Sequence, residues 1–442
     1  MPALAISPQR RDEILDALRR GTVPATSLDI LAVGLEPFEA TLRAELDTVR
    51  AGRAAFKAVR GEYGSGKTFF ARWFEELARH QGFATSEVQI SETETPLHRL
   101  ETVYRRLVEQ LTTIDCRTGA LRSMIDGWFF TLEEEVMADG DVPASEAQGL
   151  LTRTNTLMEQ RLASITRIAP AFAACLRGYR QALASGAQEI ADGLIAWLSG
   201  SPNVSARIKR HAGIKGEIDH FGALSFLQGV LTILRDSGYP GLVLVLDEVE
   251  TLQRMRGDVR EKALNALRQL IDEVDTGRFP GLYLLITGTP AFFDSPQGAP
   301  RLPPLMQRLH VEFTPDPRFD NPRAVQIRLP GFDLHKLQLV GCKVRDLYAA
   351  HCPEAERILR LADDRYIADL SAAVVGALGG KIGMTPRVYL KKLVGEVLDR
   401  IDQFPDFDPR RHYALTIADA ELTEVERNAR AAVHMDEIEL DV

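Results

Sequence analysis

Gly61-Glu62-Tyr63-Gly64-Ser65-Gly66-Lys67-Thr68 satisfies the pattern GxxxxGK[ST] at every position, directly after the apolar run Phe56–Val59 and directly before a helical pattern. That spacing suits a loop that binds a polyphosphate. Glycines let the backbone turn tightly enough for successive N–H groups to face phosphate oxygens, and the following helix adds the positive end of its dipole. In that frame Gly61, Glu62, Tyr63, Gly64, Ser65 and Gly66 form the cradle, with Phe69 in the first turn of the helix behind it. Lys67 reaches the terminal phosphates, and the Thr68 hydroxyl is a ligand for Mg²⁺.

Leu242 to Leu246 is an uninterrupted apolar run that ends in Asp247-Glu248. A buried strand of this kind delivers two carboxylates to the edge of a sheet. Asp247 is then placed to hold the metal through water, and Glu248 to orient or deprotonate an attacking water. The loop supplies ground-state affinity, whereas a carboxylate beside it is useful only when water attacks, so Lys67 and Glu248 together predict hydrolysis rather than binding alone. The alternative is a nucleotide-gated binding module with little or no turnover. The chain carries no Asn-Lys-x-Asp string of the guanine-selective kind, which favours ATP.

Three further residues are candidates. The run Leu282–Ile286 ends at Thr287, whose hydroxyl could position water, sense the terminal phosphate or merely cap a turn. Gly383-Met384-Thr385-Pro386-Arg387 opens a helical pattern through Val388, Leu390 and Leu393. Pro386 suits its first turn, and Arg387 either projects toward nucleotide or is an exposed arginine at a helix start. Arg308 is either a solvated helical side chain or a finger that stabilises charge on a neighbouring subunit's phosphates, which requires an oligomer.

These residues need a scaffold. Phe56–Val59, Ala84–Ile90, Leu242–Leu246, Leu282–Ile286 and Val325–Leu329 read as strands alternating with helices. That alternation predicts an α/β fold, a parallel-sheet P-loop NTPase core with ligands beyond the carboxyl ends of the strands. The core is assigned to residues 51–96 and 221–331, and a helical lead-in to 1–50. A large helical insertion occupies 97–220, a C-terminal helical lid 332–404 with helices at about 333–350, 354–378 and 386–403, and a tail 405–442, acidic at its end. The insertion puts Thr68 and Asp247 179 positions apart (247 − 68).

The loop Gly61–Thr68, the strand end Asp247-Glu248, the strand end at Thr287 and the Gly-x-x-Pro-Arg element at 383–387 together resemble AAA+ ATPases of the initiator and loader branch typified by origin-recognition proteins. A closer resemblance covers most of the chain. Arg60-Gly61-Glu62-Tyr63-Gly64-Ser65-Gly66-Lys67-Thr68-Phe69-Phe70, Ser91-Glu92-Thr93-Glu94-Thr95-Pro96-Leu97-His98 and Leu246-Asp247-Glu248-Val249-Glu250-Thr251-Leu252 resemble the BrxD family of ATP-binding proteins in bacterial BREX-type phage-defence loci. That resemblance implies a role in antiviral defence beside other products of the locus, often a superfamily 2 helicase, and a link to DNA. The initiator branch carries a C-terminal winged helix, for which the roughly 40 residues after Ile401 are too few, so DNA binding by that route is not expected.

Composition bounds the rest. With 53 basic against 62 acidic residues the net charge is −9, which argues against a nonspecific DNA condenser but leaves room for a local basic surface. The densest basic stretch is Arg207, Lys209, Arg210, His211 and Lys215, either a phosphate contact or a solvated loop. Trp128, Phe129 and Phe130 are core packing or a base-stacking platform. Cys116, Cys175, Cys342 and Cys352 have neither zinc-site nor disulfide-framework spacing. The N-terminus lacks a signal-peptide core and the apolar runs are too short to span a bilayer, so a cytoplasmic protein without a membrane partner is expected.

Overall fold

The computed structural model describes residues 6–138, 147–377, 386–422 and 427. Two helices, α1 (Pro8–Arg20) and α2 (Glu36–Arg50), precede strand β1 (Ala55–Arg60), and α3 (Lys67–His80) connects it to β2 (Ala84–Gln89). Seven described helices follow: α4 (Leu100–Glu109), α5 (Leu121–Ala138), α6 (Ala147–Ile168), α7 (Pro170–Ala184), α8 (Gln188–Leu198), α9 (Ala206–His211) and α10 (His220–Asp236). Next come β3 (Leu242–Asp247), α11 (Gly257–Asp275) and β4 (Leu282–Gly288), then short α12 (Pro290–Asp294), α13 (Pro303–Leu309) and β5 (Gln326–Arg328). The C-terminal part holds α14 (Leu334–Ala349), α15 (Ala355–Leu361), α16 (Asp364–Ala377), α17 (Pro386–Lys392), α18 (Asp399–Gln403) and α19 (Pro409–His412).

The strands form one sheet in the order β2-β3-β4-β1-β5, parallel at every pairing. The fold is therefore α/β with a P-loop NTPase-like core. Alternation along the strands explains why both faces are covered. Val243, Val245, Tyr283 and Leu285 face α3, whose Phe70, Trp73, Phe74 and Leu77 recur on one side and pack with them. Leu242, Leu244, Leu246, Leu282, Leu284 and Ile286 point the other way, into a core shared with α4, α10 and α11. A strand buried on both faces has no polar positions, which is why β3 and β4 read as unbroken apolar runs.

The helices between β2 and β3 join the core on the second face; Trp128 and Phe129 are buried there, whereas Phe130 is exposed. The C-terminal helices build a separate core from Leu337, Val344, Ile367, Tyr389 and Val394, and α1 adds Ile14, Leu15 and Leu18 to it. The single helix expected over 354–378 is two: the chain breaks around Asp363, whose carboxylate accepts the Tyr366 N–H at 2.8 Å and starts α16. Between α17 and α18 the helix widens into a π turn at Leu393–Leu398. Gly383, Met384 and Thr385 of the expected Gly-x-x-Pro-Arg element, and the acidic end of the tail, lie outside the described residues. No helix among the described residues is long and apolar enough to cross a membrane.

Candidate functional site

β1 ends at Arg60, and the loop Gly61–Gly66 carries the chain to the start of α3. The Gly61 N–H donates to the Gly288 carbonyl at 3.1 Å, which anchors the loop to the end of β4. Gly64 and Gly66 have φ of 77° and 94°, a left-handed backbone that a Cβ would strain, so glycine is needed at both turns. At Gly61 the need is for space: a Cβ would lie 2.3 Å from Ser65 Oγ. The Ser65 hydroxyl is buried without a hydrogen-bond partner, and the first-turn amides of α3 have no intrahelical acceptor. A cradle closed to any side chain, with an orphaned hydroxyl and a helix N-terminus behind it, fits a bound phosphate chain.

Strand order brings the acids to this loop. β4 lies between β1 and β3, and Leu246 pairs with Ile286, so Asp247 ends its strand beside Thr287. Thr68 Oγ1 donates to Asp247 Oδ2 at 3.0 Å across a separation of 179 positions. Thr287 is fully buried; its hydroxyl donates to Asp247 Oδ1 and accepts the Glu248 N–H at 3.2 Å. Thr287 therefore faces the two acids, not solvent. Glu248 adopts φ 61°, an uncommon left-handed conformation for a side-chain-bearing residue, at the step from strand to the helical turn Val249–Arg254. One hydroxyl and one carboxylate in contact form the oxygen donor set that Mg²⁺ takes beside substrate phosphates.

A cavity of about 350 Å³ opens from the loop. Tyr63–Phe69, Glu248, Glu250, Lys336 and Arg387 are among the residues that line it, and Leu18, Val23, Leu31, Val33, Phe332, Val340 and Leu390 give it apolar surface. Its size and apolar character suit a ligand whose charged end meets the loop and whose flat end is sheltered from water.

Residues 6–417 match the family described as BREX system ATP-binding protein BrxC/D. The chain belongs to this family. Membership gives it an ATP-binding role in phage defence. No curated protein matches the chain.

The remaining candidates of this BrxC/D-family chain are spread more widely. Arg387 lines the cavity, and its Nη2 donates to the Glu421 carbonyl at 2.8 Å. Arg308 is not among the lining residues; its guanidinium engages Asp272 and the Pro304 carbonyl. Arg207 and Arg210 lie exposed on α9 with Lys215 just beyond it.

Two side chains at the site escaped the sequence reading. Gln89, at the end of β2, donates to Glu248 Oε2 at 3.0 Å. Its position at the last step of an edge strand is the clue the sequence offers. Glu250 is 5% exposed, and its Oε1 stands 3.7 Å from Lys67 Nζ. Burial pushes the Glu250 carboxyl above the usual range, Lys67 opposes the shift, and the charges of Asp247 and Glu248 reinforce it. Three acids in four positions, Asp247, Glu248 and Glu250, were the available signal.

Proposed function

We propose that this protein is a Mg²⁺-dependent, AAA+-like ATPase whose cycle remodels or loads a DNA-associated partner, such as a helicase, within the phage-defence locus. The observation that carries the reading is the Thr68–Asp247 contact at 3.0 Å beside Lys67, with Glu248 on the same cavity wall. Backbone amides of 61–66 and Lys67 bind the phosphates, and the apolar end takes the base. When bound between Thr68 and Asp247, Mg²⁺ would supply charge neutralisation at the phosphates. Glu248 holds the attacking water and accepts its proton, while Thr287 fixes the direction of both acids. Arg387 joins the C-terminal helices to the nucleotide, so occupancy biases their position against the sheet; the core is 51–96 and 221–331, the insertion 97–220 and the lid 332–404. Arg308 acts across an oligomer, and the basic stretch at 207–215 is the contact for DNA in a cytoplasmic complex.

One observation favours a switch with little turnover: Gln89 holds an oxygen of Glu248 that the base would use. Phosphate release from Mg-ATP, measured for wild type and Glu248→Gln with and without DNA, decides between the readings. Turnover by wild type, falling at least about 100-fold in Glu248→Gln with nucleotide binding retained, supports the ATPase. Binding without wild-type turnover under either condition supports the switch.

A further inference from the structure

Glu250 has no part in the chemistry assigned above, yet it faces the residue on which phosphate binding depends. It sits two residues past Glu248, is almost fully buried, and lines the same cavity as Lys67 and Thr68. One oxygen lies 3.7 Å from the Lys67 ammonium, and the other is buried without a hydrogen-bond partner. Lys67 also donates to the carbonyls of Gly61 and Glu62 at 3.0 and 3.3 Å and lies 5.1 Å from the centre of the Tyr63 ring. Each of these partners is anionic or electron-rich. Together they hold the ammonium on its own loop, in competition with a phosphate.

The energetics of exchange follow from burial. When Lys67 turns to a phosphate it abandons a carboxylate that has lost its water, and that carboxylate then stands near a polyanion. Both effects oppose binding, and both are strong where water is excluded. Asp247 and Glu248 add repulsion in the same sense. The opposition grows with the number of phosphate charges, and it reverses on release, when Lys67 can return to Glu250.

Given the nucleotide-site reading above, on which this inference rests, we propose that Glu250 is an electrostatic competitor for the nucleotide phosphates, holding Lys67 in the empty site and speeding nucleotide release. The role is positioning, exerted through Lys67 and through the field at the loop.

Equilibrium titration with ATP, ADP, AMP and adenosine at constant Mg²⁺, on the full chain, tests it. Glu250→Gln keeps the shape and removes the charge, so it is expected to bind ATP about tenfold tighter or more, ADP several-fold tighter, and adenosine as wild type does. ADP dissociation slows in parallel. Glu250→Asp, which retains the charge, must lack the gain, and the gain must shrink in a Lys67→Ala background, where the ion pair is already absent. A fold defect would weaken all four ligands alike, whereas competition produces a gradient with phosphate number. Wild-type binding of ATP with unchanged or weaker binding by Glu250→Gln overturns this inference and leaves the nucleotide site standing. Absence of nucleotide uptake by wild type overturns both.

Discussion

At the scale of single residues, the charges packed between α3 and β2 have consequences that proton linkage exposes. Glu75 of α3 is 5% exposed, with Glu87 of β2 as a like-charged neighbour, and burial foremost pushes its carboxyl up to about 8. In the unfolded chain it ionises in the ordinary glutamate range, about 4 to 5. Between those limits the folded state holds a proton that the unfolded state lacks, so stability falls as pH rises from the ordinary range through about 8. Glu75→Gln removes the dependence: its melting temperature relative to wild type should climb from pH 5 to pH 8 and then level. A difference that is flat with pH would contradict the assignment. Thr287 gives a second residue-level test. Thr287→Val keeps the buried shape but removes the hydroxyl's bonds to Asp247 Oδ1 and the Glu248 N–H, which stay paired only with each other at 3.1 Å, so the direction of both acids is loosened. Hydrolysis should drop at least about tenfold while ATP affinity changes little, because neither acid is needed for the loop to hold phosphates. An equal loss in both would make Thr287 a ligand contact instead.

At the scale of elements, β1 and its neighbours are tied by an ion pair, buried at its lysine end, that hydrophobic patterning does not reveal. Lys57, central in β1 and 1% exposed, reaches Glu45 of α2 at 2.6 Å and donates to the carbonyls of Pro322 and Ala324 at 3.0 and 2.9 Å. All three ammonium protons are used, and the Tyr283 hydroxyl donates to the other oxygen of Glu45 at 2.5 Å. The network fastens α2, β1, β4 and the segment leading into β5, an edge strand of three residues with little pairing of its own. Lys57→Met should therefore cost about 3–5 kcal/mol in chemical denaturation, since it strands the Glu45 carboxylate. Lys57→Met with Glu45→Leu should recover much of the loss, because it is the unpaired charge that is expensive. Failure of the double variant to recover would assign the cost to packing. The sequence placed β1 through its apolar residues and its handover to the glycine loop, but a lysine in a strand reads as exposed unless its partners are known. Those partners come from both sides of the chain. The break at Asp363 escaped for the opposite reason: apolar residues continue at helical spacing across it, and only a local side-chain cap stops the helix.

At the scale of the whole molecule, the cavity beside the glycine loop is a joint between two cores. Patterning made the sheet legible because each strand carries its own signal, and the loop and acids were legible because the chemistry restricts residue types. How α1 meets the C-terminal helices is carried by contacts between positions more than 300 apart: Arg19 pairs with Asp399 through two bonds at 2.8 and 2.7 Å, and Arg11 donates to the Tyr348 carbonyl at 2.6 Å. No local pattern encodes such partners. Their effect is that α1 with the chain after it, and the helices α14 and α17, form two walls of one cavity, to which Leu18 and Val33 contribute from the first and Val340 and Leu390 from the second. A ligand that touches both walls must stabilise both, by about 2.7 kcal/mol at 100 times its Kd. Hydrogen exchange with and without Mg-ATP should therefore show added protection in the phosphate loop, in 14–35 and in the helices that contain Val340 and Leu390. Among the described residues, helices α5 to α9 contribute none to the lining and should exchange as before. Protection confined to 61–69 would mean that the phosphates are held without the walls closing on the base, and the coupling of nucleotide to the C-terminal helices would then be lost.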